Sequence, residues 1–177
     1  MKPNPPKLAI AIIVSLYFFT IAYDPMMDGL WHFLNLVNLP IHETGHLIFR
    51  LLGEFMMIAG GSLFQVIVPA VFVGYFVRQG QFFSAALVLF WVGQSILNFC
   101  VYAEDAGRMQ LVLMSGPAGS EGSFHDWNFL LRETGLIGYH ETVAGLIRFV
   151  GTLTILAASG LSIYLSFEPA EDAGKAV

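Results

Sequence analysis

Apolar residues in this chain come in long runs. They do not alternate as in a strand, nor form the narrow stripe of a surface helix. The runs cover residues 8–23, 30–52, 55–77, 82–103 and 142–167, and short polar breaks at Asp24–Gly29, Gly53-Glu54 and Arg78–Gln81 separate the first four. About twenty apolar residues carry a helix across the hydrocarbon of a bilayer, where every backbone polar group must be satisfied within its own segment. The pattern predicts an all-α integral membrane protein, a bundle of about five transmembrane helices in one polytopic domain over residues 1–177.

Composition strengthens this reading. Hydrophobic residues make up 56% of the chain and charged residues 12%, whereas soluble domains carry roughly a quarter charged residues. The net charge of −5 gives no case for a nucleic-acid partner. The single Cys100 cannot form an internal disulfide and reads as packing. Residues 1–7 hold Lys2 and Lys7 ahead of the first run. No small-x-small cleavage site follows it, since the run ends Ile21-Ala22-Tyr23-Asp24-Pro25. An uncleaved first helix with a cytoplasmic N-terminus is therefore expected, in a multi-pass protein of the cell (inner or plasma) membrane. The bilayer is its first partner. With five crossings the C-terminus would lie outside, the polar stretch 104–140 would be a cytoplasmic loop, and the acidic end from Glu168 would be a disordered tail.

Polar residues inside apolar runs are costly and mark function or interhelical bonding. The second run contains His42-Glu43-Thr44-Gly45-His46, flanked by Leu39-Pro40-Ile41 and Leu47-Ile48-Phe49. Residues four apart share a helix face, so both imidazoles can reach one metal ion, with Glu43 on the adjoining flank as general base. H-E-x-x-H on a helix is the short signature of a zinc peptidase. Its bland alternative is an interfacial helix whose polar face meets lipid head groups. Pro40 either opens the metal-bearing helix, leaving Trp31 to Asn38 as a separate interfacial piece, or bends one longer helix.

The third run begins with Gly60-Gly61-Ser62, which suits close helix packing or, alternatively, an extended stretch beside the metal where substrate backbone pairs. In the fourth run Gln94, Asn98, Tyr102 and Asp105 share one helical face. They read either as interhelical hydrogen bonds or as the wall of a metal cavity. Within 104–140, His125-Asp126-Trp127-Asn128 precedes an amphipathic stretch, Trp127 to Leu136, which Asp126 or Asn128 could cap. His140-Glu141-Thr142 echoes the motif but lacks its second histidine, since residue 144 is Ala.

A catalytic zinc takes three protein ligands and leaves a fourth position open. His42 and His46 supply two. His125 is the first candidate for the third, with Asp126 orienting it. Asp126 itself and Asp105 are the alternates.

On the H-E-x-x-H in an apolar helix of a small polytopic chain, the sequence resembles the site-2-protease-like intramembrane zinc metallopeptidases. It is also similar to small bacterial multi-pass proteins that share H-E-x-G-H, Gly-Gly-Ser and H-D-W-N over most of residues 39 to 140. The resemblance implies a Zn2+ cofactor on His42 and His46, Glu43 as catalytic base, a helical bundle with a water-accessible site, and a membrane-embedded protein substrate cut in or near its span. The chain departs from that family in lacking its aspartate-glycine third-ligand motif; Asn98 and Asp105, with Ala106 after it, are only a loose echo. Two other functions remain open at this level: a non-catalytic metal-binding membrane protein for sensing or assembly, and a membrane metallohydrolase acting on something other than peptides.

Overall fold

A computed structural model describes residues 2–26, 33–111, 119 and 124–168. Among these residues the chain is almost wholly helical. The order is β1 (Lys2–Pro3), α1 (Pro5–Tyr23), α2 (Phe33–Phe49), α3 (Glu54–Arg78), α4 (Phe82–Asp105), α5 (Asp126–Glu133), α6 (His140–Tyr164) and β2 (Phe167–Glu168). Short 3-10 turns follow α2 at Arg50–Leu52 and precede α6 at Ile137–Tyr139.

The helix starts follow from local chemistry. Pro5 and Pro6 occupy the first turn of α1, where a missing N–H costs nothing, and the Asn4 side chain accepts from the Lys7 amide at 3.2 Å. Gly53 turns the chain between α2 and α3 at φ 95°, a conformation that favours glycine. Among the described residues, four helices are long and apolar enough to cross a membrane: Pro5–Tyr23, Glu54–Arg78, Phe82–Asp105 and the span Ile137–Tyr164. The inner faces of α1, α4 and α6 meet in a core of Phe18, Ile21, Phe90, Leu97, Ile155 and Ala158. Along the α4–α6 seam Gly93 packs on Ile155 and Gly151 on Leu97. The outer faces of the long helices leave large apolar side chains uncovered, among them Ile13, Leu16, Val71, Leu146 and Phe149. Such a surface suits lipid contact.

Two features bear on the expected order of segments. First, α2, described from Phe33, has 17 residues and is not among those four helices; at 1.5 Å per residue it spans about 25 Å. It runs unbroken through Pro40, so Pro40 lies inside the helix that carries the motif. Trp31 lies outside the described residues, as does the acidic end beyond residue 168. Second, the two ends of the described chain meet. Lys2 and Pro3 pair antiparallel with Glu168 and Phe167, and the Asn4 amide donates to the Ser166 carbonyl at 2.8 Å. Lys7 Nζ lies 5.9 Å from the Phe83 ring, which places the start of α4 at that end too. At the other end, Arg148 donates to the Tyr23 carbonyl at 2.7 Å, and a His140 ring nitrogen lies 2.8 Å from the Glu104 carbonyl. A chain whose ends share one end of a bundle passes along it an even number of times. α2 accordingly enters and leaves by the same end. Lys2–Lys7 and the described residues of 104–140 therefore lie at opposite ends of the bundle.

In a Cys100→Ala background, cysteines placed at Lys2 and at Glu133 should react with a membrane-impermeant maleimide from opposite faces of sealed vesicles. Labelling of both from one face would contradict this arrangement.

Candidate metal centre

The site is built where α2 crosses α3. Gly45 and Gly60 face each other so closely that a Cβ on Gly45 would collide with the Gly60 carbonyl, and a Cβ on Gly60 would stand 2.5 Å from Phe49 Cβ. Small residues let the two backbones touch, the usual device for helix contact in an apolar medium. The Gly60-Gly61-Ser62 segment is thus regular helix, and its glycines serve packing. One residue along, Gly61 lies beneath both imidazoles of the motif. A Cβ there would be 2.6 Å from His42 Nε2 and 2.7 Å from His46 Nε2. Gly61 keeps clear the space beside the two nitrogens.

Each imidazole is held by its other nitrogen. His46 Nδ1 lies 2.9 Å from the Met57 carbonyl, which can only accept, so Nδ1 keeps a proton and Nε2 is the nitrogen left for a metal. His42 Nδ1 lies 3.2 Å from Gln65 Oε1 in the same sense. The rings stand nearly perpendicular, with centroids 4.8 Å apart.

The third group is Asp126. Its Oδ2 is 3.0 Å from His42 Nε2 and 3.2 Å from His46 Nε2. A tetrahedral zinc with bonds of about 2.0 Å has ligand-to-ligand edges of about 3.3 Å, which the two nitrogen-to-oxygen separations are close to, and all three atoms lie within 4.8 Å of one another. The donor set of two neutral nitrogens and one carboxylate oxygen also suits zinc. Burial raises the Asp126 carboxyl, but hydrogen bonds from His42 and His46, reinforced by their charge, outweigh it and hold it down at about 2.

His125, the first-choice third ligand from sequence, is turned elsewhere. Its Nδ1 caps α5 by accepting from the Asn128 amide at 3.2 Å. Its Nε2 points at Asp105, 3.5 Å away. Asp105 in turn accepts from the Gln110 and Leu111 amides. Asp105 therefore braces the turn after α4, and the cap of α5 is His125 instead of Asp126 or Asn128. The H-D-W-N stretch works as a docking device with four separate jobs. His125 starts the helix and Asp126 faces the imidazoles. Trp127 Nε1 donates to Ser62 Oγ at 3.2 Å, and Asn128 Nδ2 donates to the Ala106 carbonyl at 2.6 Å. Leu130 and Leu131, both buried, complete the seat.

The three groups open into a cavity of about 450 Å³ whose walls include Phe99, Tyr102, Phe124 and Trp127. Glu43, exposed on α2, lines the same cavity. So do Asn35, Asn38, Gln65 and Asn98. The polar face expected on α4 is realised in both of its senses, since Asn98 and Tyr102 wall the cavity while Gln94 and Asn98 bond to α2. Sequence reasoning did not single out Asn35 and Asn38. Their spacing of three on a helix of otherwise apolar residues was the available signal. Among family models, curated proteins and solved structures, none matches the chain.

Purified protein supplied with zinc should hold about one ion per chain. His46→Ala and Asp126→Ala should each lose it, and His125→Asn, which keeps a capping side chain, should retain it. Gly61→Ala should weaken zinc affinity at least about tenfold, as changes beside metal ligands do. Gly74→Ala on the same helix, where a Cβ meets nothing within 4 Å, should leave it unchanged. Metal content and competition with a chromophoric chelator measure both.

Proposed function

We propose that this chain is a membrane-embedded zinc peptidase that hydrolyses a peptide bond in or near a membrane-spanning segment of a protein substrate. The observation that carries the proposal is the convergence of His42 Nε2, His46 Nε2 and Asp126 Oδ2 within hydrogen-bonding distance, on a cavity that Glu43 also lines. Zinc bound to these three groups would supply Lewis acidity and an acidified water. Glu43, which lines the same cavity, would take the proton from water and pass it to the leaving amine. The apolar part of the wall, with Phe99, Phe124 and Trp127, would hold apolar side chains of the substrate. An intact helix hides its carbonyls in its own hydrogen bonds, so the substrate segment has to enter locally unwound.

The lining favours a peptide over other membrane substrates. Among the described residues around the cavity none is Lys or Arg, and Glu43, Glu54 and Asp126 are acidic. Phosphate groups and terminal carboxylates are recognised through cations. A wall without any, carrying three carboxylates, suits a neutral amide in mid-chain and disfavours a phospholipid head group. The same absence argues for cleavage inside a chain over removal of a C-terminal residue. The likeness of the H-E-x-x-H helix to site-2-protease-like enzymes points the same way.

Glu43→Gln is the decisive variant. It should keep its zinc and lose cleavage of an unstructured apolar polypeptide by at least about a hundredfold, the scale of a lost general base. Newly formed amino termini would be counted by mass spectrometry. Zinc-loaded wild type that cuts neither this substrate nor a panel of single-span membrane proteins would leave a metal-binding protein without peptidase activity.

A further inference from the structure

Six side chains from α2, α3 and α4 form one hydrogen-bonded line that ends on His42. Trp91 Nε1 donates to Asn38 Oδ1 at 2.8 Å. Asn38 Nδ2 donates to Gln94 Oε1 at 2.8 Å, and Gln94 Nε2 to Asn35 Oδ1 at 2.8 Å. Asn35 Oδ1 takes a second donor, Asn98 Nδ2, at 3.3 Å. Asn98 Oδ1 accepts from Gln65 Nε2 at 3.2 Å, and Gln65 Oε1 faces His42 Nδ1 at 3.2 Å. Asn38, Gln65 and Gln94 are each only 2% exposed, so water does not substitute for a missing partner.

A carboxamide can turn over and exchange its oxygen for its nitrogen, so a chain of carboxamides alone has no fixed direction. Trp91 removes that freedom. An indole N–H donates and never accepts. It demands the Asn38 oxygen, which turns the Asn38 amide group toward Gln94. Each next amide is then forced in turn, and Asn35 must meet two N–H donors with one oxygen. The last member, Gln65, is left with its oxygen toward His42. His42 Nδ1 must then carry a proton, which leaves Nε2, beside Asp126 and the space above Gly61, as the nitrogen a metal would meet.

We propose that Trp91 sets the ring nitrogen that His42 presents, acting at a distance through Asn38, Gln94, Asn35, Asn98 and Gln65, and that these are positioning residues for the metal centre. The consequence for metal affinity rests on the metal-site reading above; the position of the proton on His42 does not. His46 needs no such chain, because a backbone carbonyl fixes it. The proposal gives a reason for placing five carboxamides, three of them buried, in an apolar bundle: they carry the direction of one donor-only group to a defined nitrogen on His42.

The test has two arms. With ring-¹⁵N-labelled histidine in metal-free Asp126→Ala protein, where no carboxylate competes for Nε2, the neutral His42 ring should be protonated on Nδ1. Adding Gln65→Leu should move the proton to Nε2, the form free histidine prefers. A proton on Nε2 before Gln65 is changed would overturn the proposal, whether or not the protein binds metal. In the second arm, cobalt(II) affinity is measured in otherwise native protein. Gln65→Leu should weaken it about 10–100-fold and Trp91→Phe about tenfold. A carboxylate at position 65 accepts in either orientation, so in a Gln65→Glu background Trp91→Phe should cost nothing. An equal loss from Trp91→Phe in both backgrounds would reduce Trp91 to packing.

Discussion

Everything at the candidate centre depends on how closely α2 lies against α3. The Gly45–Gly60 crossing brings the backbones into contact, and that contact decides where the imidazoles of His42 and His46 can go. Had either glycine carried a side chain, the helices would stand farther apart. His46 Nδ1 would then lose the Met57 carbonyl and His42 Nδ1 would lose Gln65. Both rings would be free to rotate, and two nitrogens four residues apart would no longer share a fixed point. The crossing also explains why Gly61 follows Gly60. The first glycine admits the backbone and the second admits the rings.

A cluster of histidines, a carboxylate and five carboxamides is expensive to bury in an apolar bundle, and it persists only if its members satisfy one another. Here they do so in a layered way. Asp126 lies against two imidazoles, the imidazoles against a backbone carbonyl and a glutamine, and the glutamine against a line that closes on an indole. Each layer restricts the one inside it. Partly satisfied networks of this kind are worse than an apolar core, so the layers stand or fall together. α5 is the least embedded part. It is eight residues long and is tied down by Trp127 to Ser62 and by Asn128 to the Ala106 carbonyl. Asp126 is therefore the member of the cluster whose position depends most on two single hydrogen bonds.

How much of this could be read from the chain alone differs by level. The helical class and four of the long segments follow from unbroken apolar runs, a signal that needs no partner. The pairing of His42 with His46 follows from helical period. The choice between His125 and Asp126 could not be made that way. Adjacent residues at a helix start point in different directions, and which one faces α2 is decided by the cap. His125 Nδ1 accepts from the Asn128 amide, and that bond turns Asp126 toward the histidines. The second run reads as a crossing because it is apolar over most of its length, and its polar residues, Asn35, Asn38, His42, Glu43 and His46 among them, are the contrary sign. The meeting of Lys2–Pro3 with Phe167–Glu168 had no local signal at all, since pairing between chain ends is set by the whole path between them.

The shortness of α2 and the site's position are two aspects of one constraint. A polar helix surrounded by lipid would leave its side chains unsatisfied, so at membrane depth such a helix is tolerated only where protein covers it or water reaches it. α2 meets both conditions: Asn35 and Asn38 are covered by α4, while Glu43 reaches the cavity. Its motif-bearing end, with His46 beside the Met57 carbonyl, lies where α3 begins and α4 ends, so Asp126 at the start of α5 reaches it from that same end of the bundle.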